Sequence, residues 1–343
     1  MEAISHLTCL AYDVQPHWPT PRKLSPECLF SLEKHSSATV SEVVALALHV
    51  AEQEGSASAL SIFAPVASLF LNYAQREAIH VPDDLTLDGV RQFILLERPG
   101  SAFLSTEQMH LHRNFLMLIH LACNTYGISF PRLAAEVTDL KARKGGPRRP
   151  LMDDEITLAR IASKCRTLQI SDQQRSGRDT RLERAAMLGI IESGAGTSDL
   201  THITARDIYD EGLTTFVHLH GTRDAGPRAV ALTKWAQEQC KEMFSQFDID
   251  PDGANGLFYN GRYRPGTPGA QSSTSGVLAE ILAFAGLKQI GLKALQLPFW
   301  RARSLFDSTG RLGDAAAVLG CSAMKALTHC GIDGDALYGV VSL

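Results

Sequence analysis

Lys141-Ala-Arg-Lys-Gly-Gly-Pro-Arg-Arg-Pro150 divides the sequence. Its glycines and prolines prevent a packed helix or strand. Its five cations, with no acid among them, keep the stretch in water. It reads as an interdomain linker, and that role is compatible with an added contact to a nucleic-acid backbone.

Upstream of it the pattern is helical. Residues 1–25 form an irregular arm around His17-Trp18-Pro19-Thr20-Pro21-Arg22-Lys23. Ser25-Pro26-Glu27 opens a helix, with Ser25 as N-cap and Pro26 where its missing N–H costs nothing. Ser41 to Ala51 is a second apolar helix. Over 57–78, Leu60, Phe63, Val66, Phe70 and Tyr73 recur at helical spacing. Thr86 caps a segment running through Val90 to Leu96. Thr106 caps a long helix through Leu111, Phe115, Leu118 and Leu121 that ends near Tyr126-Gly127. Residues 1–135 therefore predict an all-helical region.

Downstream, Asp153, Asp154 and Glu155 open a helix, acids placed well for its dipole. Arg181 to Glu192 is another helix. Thr214 to His220 and Arg228 to Leu232 read as two strands of a hairpin turning over Gly221 to Pro227. Helices resume over 234–244 and 275–285. The stretch 298–319 is helical with a break at Gly310. The fold class expected is mainly α with a small antiparallel β-sheet, in two domains.

The chain of 343 residues is 45% hydrophobic and 20% charged, enough apolar material for packed cores. No apolar run approaches the roughly 20 residues that span a bilayer. The N-terminus lacks the basic start and apolar core of a secretory signal. A soluble, cytoplasmic protein without membrane contact is expected. The seven cysteines are odd in number, widely spaced and without C-x-x-C, so neither a disulfide framework nor structural zinc is expected. Net charge is −4, but unevenly spread: residues 1–140 carry 8 Lys+Arg against 15 Asp+Glu. A near-neutral chain still binds phosphates if its cations gather on one face.

Four further segments fall in a telling order. Ser193-Gly194-Ala195-Gly196-Thr197-Ser198-Asp199-Leu200 looks like a T-G-L-R-x-S-E-L box, followed by Asp207-Ile208. His220-Gly221-Thr222-Arg223 with Arg228-Ala-Val-Ala-Leu232 looks like G-K-G-x-K-x-R-x-V-P-L. Pro298-Phe299-Trp300-Arg301 lies where an H-x-L-R box belongs. Leu319-Gly320-Cys321-Ser322-Ala323-Met324-Lys325 looks like L-G-H-S-S-I. In this order the segments resemble the tyrosine recombinase (phage integrase) superfamily, over about residues 55–332. The resemblance implies a helical N-terminal extension over 1–50 and a helical, SAM-like core-binding domain over 51–140. The basic linker 141–150 and a catalytic-like domain over 151–343 would follow. In that family the two domains clamp duplex DNA.

The chemistry implied is phosphoryl transfer. A tyrosine attacks the scissile phosphate, two arginines neutralise its oxygens, and a lysine and histidines move protons. This chain departs from that set. The first arginine falls on Gly196, the hairpin lysine on Arg223, and the H-x-L-R histidine on Pro298. Arg301 matches the second arginine. The histidine after L-G falls on Cys321 and the tyrosine on Cys330. A degenerate member is expected: a pseudoenzyme that binds double-stranded DNA as an accessory, architectural or regulatory factor in recombination or integration, as on a mobile element. It would work beside active recombinase subunits and be nucleoid-associated. Phosphate contacts are expected from Lys141, Arg143, Lys144, Arg148, Arg149, Arg223, Arg228, Arg262, Arg264, Arg301 and Arg303. Two alternatives stand beside this. One is a protein-interaction module without DNA, favoured by the acidic first 140 residues, with the apolar Gly334 to Leu343 docking on a neighbouring subunit. The other is an active recombinase whose nucleophile is Tyr338 or Cys330.

Other residues invite readings that their context removes. Asp248-Ile-Asp250-Pro-Asp252-Gly253 imitates a calcium loop, but its twelfth position is Tyr259; a polar turn is expected. His110 and His112 face different ways on their helix, His120 reads as a core or partly buried histidine, and His218 with His220 lack a completing ligand, so no metal is expected. No phosphate-binding glycine loop occurs in a supporting context, and no cofactor is implied. The loop Asn260 to Gly266 is basic and aromatic, suited to phosphate and base contact through Arg262, Tyr263 and Arg264, or equally to a plain surface role.

Overall fold

The computed structural model describes residues 38–55, 58–95, 104–143, 149–165, 181–222, 225–251, 253, 255–259 and 263–332. The helix expected at Ser25 lies outside them. The fold is mainly α with one three-stranded antiparallel sheet. It divides into two compact units. One holds the described parts of Met1–Arg143, Asp153–Ile170 and Phe284–Ile290. The other holds those of Lys144–Met152, Ser171–Ala283 and Gly291–Leu343.

The first unit is helical. Helix α1 is Val40–Glu54, α2 is Ala59–Arg76, α3 is Leu87–Ile94, α4 is Thr106–Thr125 and α5 is Asp153–Ser163. Their starts are written in the sequence. Thr39 caps α1 in a capping box: its hydroxyl accepts the Glu42 N–H, and the Glu42 carboxylate accepts the Thr39 N–H at 2.6 Å. Ser105 and Gln108 do the same for α4, one residue earlier than Thr106. The expected apolar positions make the core. Phe70 meets Phe93 edge-on at 5.0 Å and Phe115 at 6.0 Å, and Phe63 lies 6.3 Å from Phe115. Each ring is fully buried, and burying such a side chain is worth roughly 1.5–3 kcal/mol.

A polar network runs beside this apolar core. Arg113 is 0% exposed and donates to the carbonyls of Val137 and Gly286 at 3.2 and 2.6 Å. Next to it, Asn114 donates to Asp154 of α5. Arg143 then closes the unit. It forks onto both oxygens of Asp154 at 3.0 and 2.7 Å and pairs with Glu155 and Glu107, each at 3.2 Å. Burial works against its charge, but the three carboxylates outweigh burial and hold its pKa above the ordinary value.

The histidines of α4 are held by the surrounding backbone. The rings of His110, His112 and His120 each bond a backbone carbonyl: Lys141, Phe93 and Phe130, at 2.8, 3.1 and 2.9 Å. Burial lowers the pKa of His110 and of His120.

The second unit holds α6 (Arg181–Glu192), strands β1 (Ile208–Glu211), β2 (Thr214–Leu219) and β3 (Arg228–Ala231), then α7 (Lys234–Phe247), α8 (Pro268–Phe284), α9 (Leu297–Thr309), α10 (Leu312–Leu319) and α11 (Ala323–His329). The expected hairpin is β2–β3, with Val217 opposite Val230. Its inward residues Val217, Leu219 and Val230 are buried. Strand β1 adds an edge that periodicity does not reveal, because three of its four residues face water. Helix α8 begins at Pro268, seven residues ahead of the expected start, with proline suited to that first position. Gly310 breaks the C-terminal stretch as expected, in the left-handed conformation at φ 67. In the calcium-like stretch, Asp248 is the left-handed C-cap of α7, and the Gly253 N–H donates to the Asp250 carbonyl.

Candidate functional site: a cleft in the second unit

A cleft of about 670 Å³ opens in the second unit. It gathers three of the positions singled out by motif: Gly196, Pro298 and Cys321. They come from three separate segments: the loop after α6, the start of α9, and the turn between α10 and α11. Their convergence follows from packing. Helix α10 packs on α9 and on α11, and α9 on α6, which bring all three segments to one place.

Arg228 fixes the floor. Its Nε donates to the Val318 carbonyl at 2.8 Å, its Nη1 to Gly226 at 3.1 Å, and its Nη2 to the Gly194 carbonyl at 3.0 Å. Nη2 also meets the Asp199 carboxylate at 3.2 Å. The same Asp199 oxygen accepts the Gly196 N–H at 2.8 Å. One guanidinium thus joins β3, the loop 194–199 and the end of α10. Arg228, expected at phosphate, is instead part of the frame; its side chain is 9% exposed.

Gly194 is required by that frame. Its φ is +127, and a Cβ there would lie 2.4 Å from the Val318 side chain. Gly196, two residues on, has its nearest neighbour at 3.4 Å from an added Cβ and lies outside the left-handed region.

Other expected cations are also engaged internally. Arg143, expected at phosphate, is 5% exposed and held by the carboxylates described above. Arg149, likewise 5% exposed, donates to the Pro150 carbonyl, while its own carbonyl accepts from Gln296. Arg303 forks onto Asp307 at 2.8 and 2.9 Å and reaches the Cys330 carbonyl. Arg301 is half-buried and not among the cleft-lining residues. Burial lowers its pKa, with the Glu192 carboxylate acting the other way. Lys141 and Arg264 are exposed. Lys144, Arg148, Arg223, Arg262, Tyr338 and the segment Gly334 to Leu343 lie outside the described residues.

Cys330 is not among the cleft-lining residues; it lies in an apolar cluster with Phe299, Ala302, Ala315 and Leu319 and is 0% exposed. Burial pushes its thiol up to about 11, against a smaller opposing effect of Arg303. A nucleophilic thiol needs its anion and access to the phosphate, and this one has neither at neutral pH. In the native protein at about pH 8, near the ordinary thiol pKa, Cys330 should resist iodoacetamide and react only after unfolding. Peptide mass mapping reads this directly. Native labelling at the unfolded rate would place the thiol in water.

Sequence reading missed two contributors to the cleft. Lys325 and His329 line it from α11, with the His329 ring stacked on Phe299 at 4.3 Å and 10°. Both lie in or just after the Leu319–Lys325 motif, so their proximity to Cys321 was the available signal. On the outer side of the sheet, His220 pairs with Asp207 at 2.9 Å and packs on His218.

No family model matches the sequence, and no curated protein matches it. Among solved structures the chain is similar to XerA recombinase, at 15% identity and a TM-score of 0.42, covering 89% of this chain and 99% of that one. It is similar to XerH site-specific recombinase bound to palindromic difH substrate in a post-cleavage complex. There the identity is 16%, the TM-score 0.43 and the coverage 99% of this chain and 94% of that one. A third is the Tn1549 transposon integrase in complex with transposon right-end DNA, at 14% identity and a TM-score of 0.38, covering 88% and 99%.

Proposed function

We propose that this chain is a recombinase-like DNA-binding protein without strand-cleaving activity, acting as an accessory or regulatory factor in recombination or integration. One observation carries the reading. Gly196, Pro298 and Cys321, the positions that the motif resemblance assigns to an arginine and two histidines, line one cleft. A glycine, a proline and a half-buried thiol cannot neutralise a phosphorane or protonate a leaving oxygen. Burial raises the Cys321 thiol pKa, against smaller effects of Lys325 and Arg228.

DNA contact would fall to the exposed Lys141 and Arg264, with Lys144, Arg148, Arg223 and Arg262. The test is fluorescence anisotropy with mixed duplex DNA, titrated from about 50 to 200 mM salt, where several phosphate contacts give a steep slope. Lys141→Glu with Arg264→Glu should lower the slope by about one per lost contact. A flat salt response in the wild-type chain would end this reading. Incubation with nicked suicide DNA should yield no covalent adduct; an adduct abolished by Tyr338→Phe would instead make the chain an active enzyme.

The second reading is a protein-interaction module that does not bind DNA. It is favoured by the internal engagement of Arg143, Arg149 and Arg228, which removes three cations from the surface. Absence of DNA binding at low salt, with a change in solution mass on removing Gly334 to Leu343, would select it.

A further inference from the structure

We propose that the cleft of the second unit binds a small organic anion with an apolar body. The inference is independent of DNA binding. It starts from what the cleft has become where Gly196 carries no side chain and Pro298 and Cys321 offer apolar surface. The lining is of mixed character. The lining includes the polar Thr197, Ser198 and Thr222 and the apolar Leu295, Pro298, Leu319 and Met324.

Two of these apolar side chains are open to water. Leu295 is 51% exposed and Met324 72%. Exposed apolar side chains on a convex surface are ordinary, but these two line a concavity, where a ligand can cover both at once. The stacked pair of Phe299 and His329 also lines the cleft. A volume of about 670 Å³ lies within the roughly 300–1,000 Å³ range of small-molecule sites.

Charge selects the ligand's head. Asp199 and Arg228 neutralise each other at the floor. Lys325 is exposed and makes no ion pair among the described residues. It is therefore the unbalanced cation of the cleft, beside the apolar rim formed by Met324. A carboxylate, sulfonate or phosphate monoester on an aromatic or acyl body satisfies both features. A bare phosphate would satisfy only Lys325.

Anilinonaphthalene sulfonate has this chemistry and is the probe. Fluorescence titration of the full chain should give one saturable site. Leu295→Glu and Lys325→Glu should each weaken it by about tenfold or more. Both side chains are exposed, so the fold tolerates the changes, which far-UV circular dichroism checks. Leu213→Glu, at the fully exposed tip of the β1–β2 turn, should leave the affinity unchanged. Dodecanoate should displace the probe and inorganic phosphate should not. Undiminished binding in both cleft variants, or displacement by phosphate as readily as by dodecanoate, would overturn the proposal.

Discussion

Arg143→Ala is expected to destabilise the first unit by about 3–5 kcal/mol, the cost of removing one partner from a buried ion cluster. The reason is what stays behind. Asp154 and Glu155 are 4% and 0% exposed, and alanine leaves both without the guanidinium that balances them. Arg143→Lys should recover only part of the loss, because an ammonium cannot fork onto both oxygens of Asp154. Urea denaturation followed by circular dichroism measures both. DNA affinity, compared at equal folded fraction, should not change. A loss below about 1 kcal/mol, the range of surface ion pairs, together with weaker DNA binding would put Arg143 back on the surface.

The second large effect is at Arg228. Arg228→Ala should cost on the order of 3–5 kcal/mol, because Asp199 keeps its buried charge and three carbonyls lose a donor. The side chains of Arg228 and Asp199 are 9% and 1% exposed, so solvent screens the pair little. Unlike Arg143, this residue shapes a site. Its loss frees the loop 194–199 from the end of α10, so the variant should also lose the cleft, read as weaker binding of anilinonaphthalene sulfonate. Arg228→Lys should keep the charge yet fail to restore either property, since one ammonium cannot span Val318, Gly226, Gly194 and Asp199. Full stability in Arg228→Ala would show that the clamp holds nothing.

The two arginines mark where sequence reading stops. Helix periodicity at Phe63, Phe70 and Phe115 located the first core because burial follows spacing. Turn residues between two apolar runs located the β2–β3 hairpin for the same reason. Arginine carries no such pattern. Whether it meets phosphate or an internal carboxylate depends on which acid the fold brings beside it. Asp154 and Glu155 looked like acids at a helix start, and Asp199 like one letter of a motif. Each is a buried counter-charge. Gly196, Pro298 and Cys321 lie far apart in the sequence, and packing of their three segments is what brings them to one cleft. The cleft's apolar lining was not legible, because Leu295 and Met324 differ from core residues only in facing outward. Strand β1 was hidden too: its Tyr209, Asp210 and Glu211 follow no alternation.

Gly194 and Gly196 look alike in the sequence, yet they record different kinds of information. The backbone dictates the first: its φ of +127 and the Val318 side chain 2.4 Å from an added Cβ leave no alternative. The second is dictated by nothing in the loop, where an added Cβ meets only ordinary contacts at 3.4 and 3.8 Å. A lineage could therefore gain or lose a side chain at 196 in a single step without refolding the loop, while 194 stays pinned. The scaffold of the cleft is more durable than its contents, and its present chemistry is one of several that the same backbone can carry.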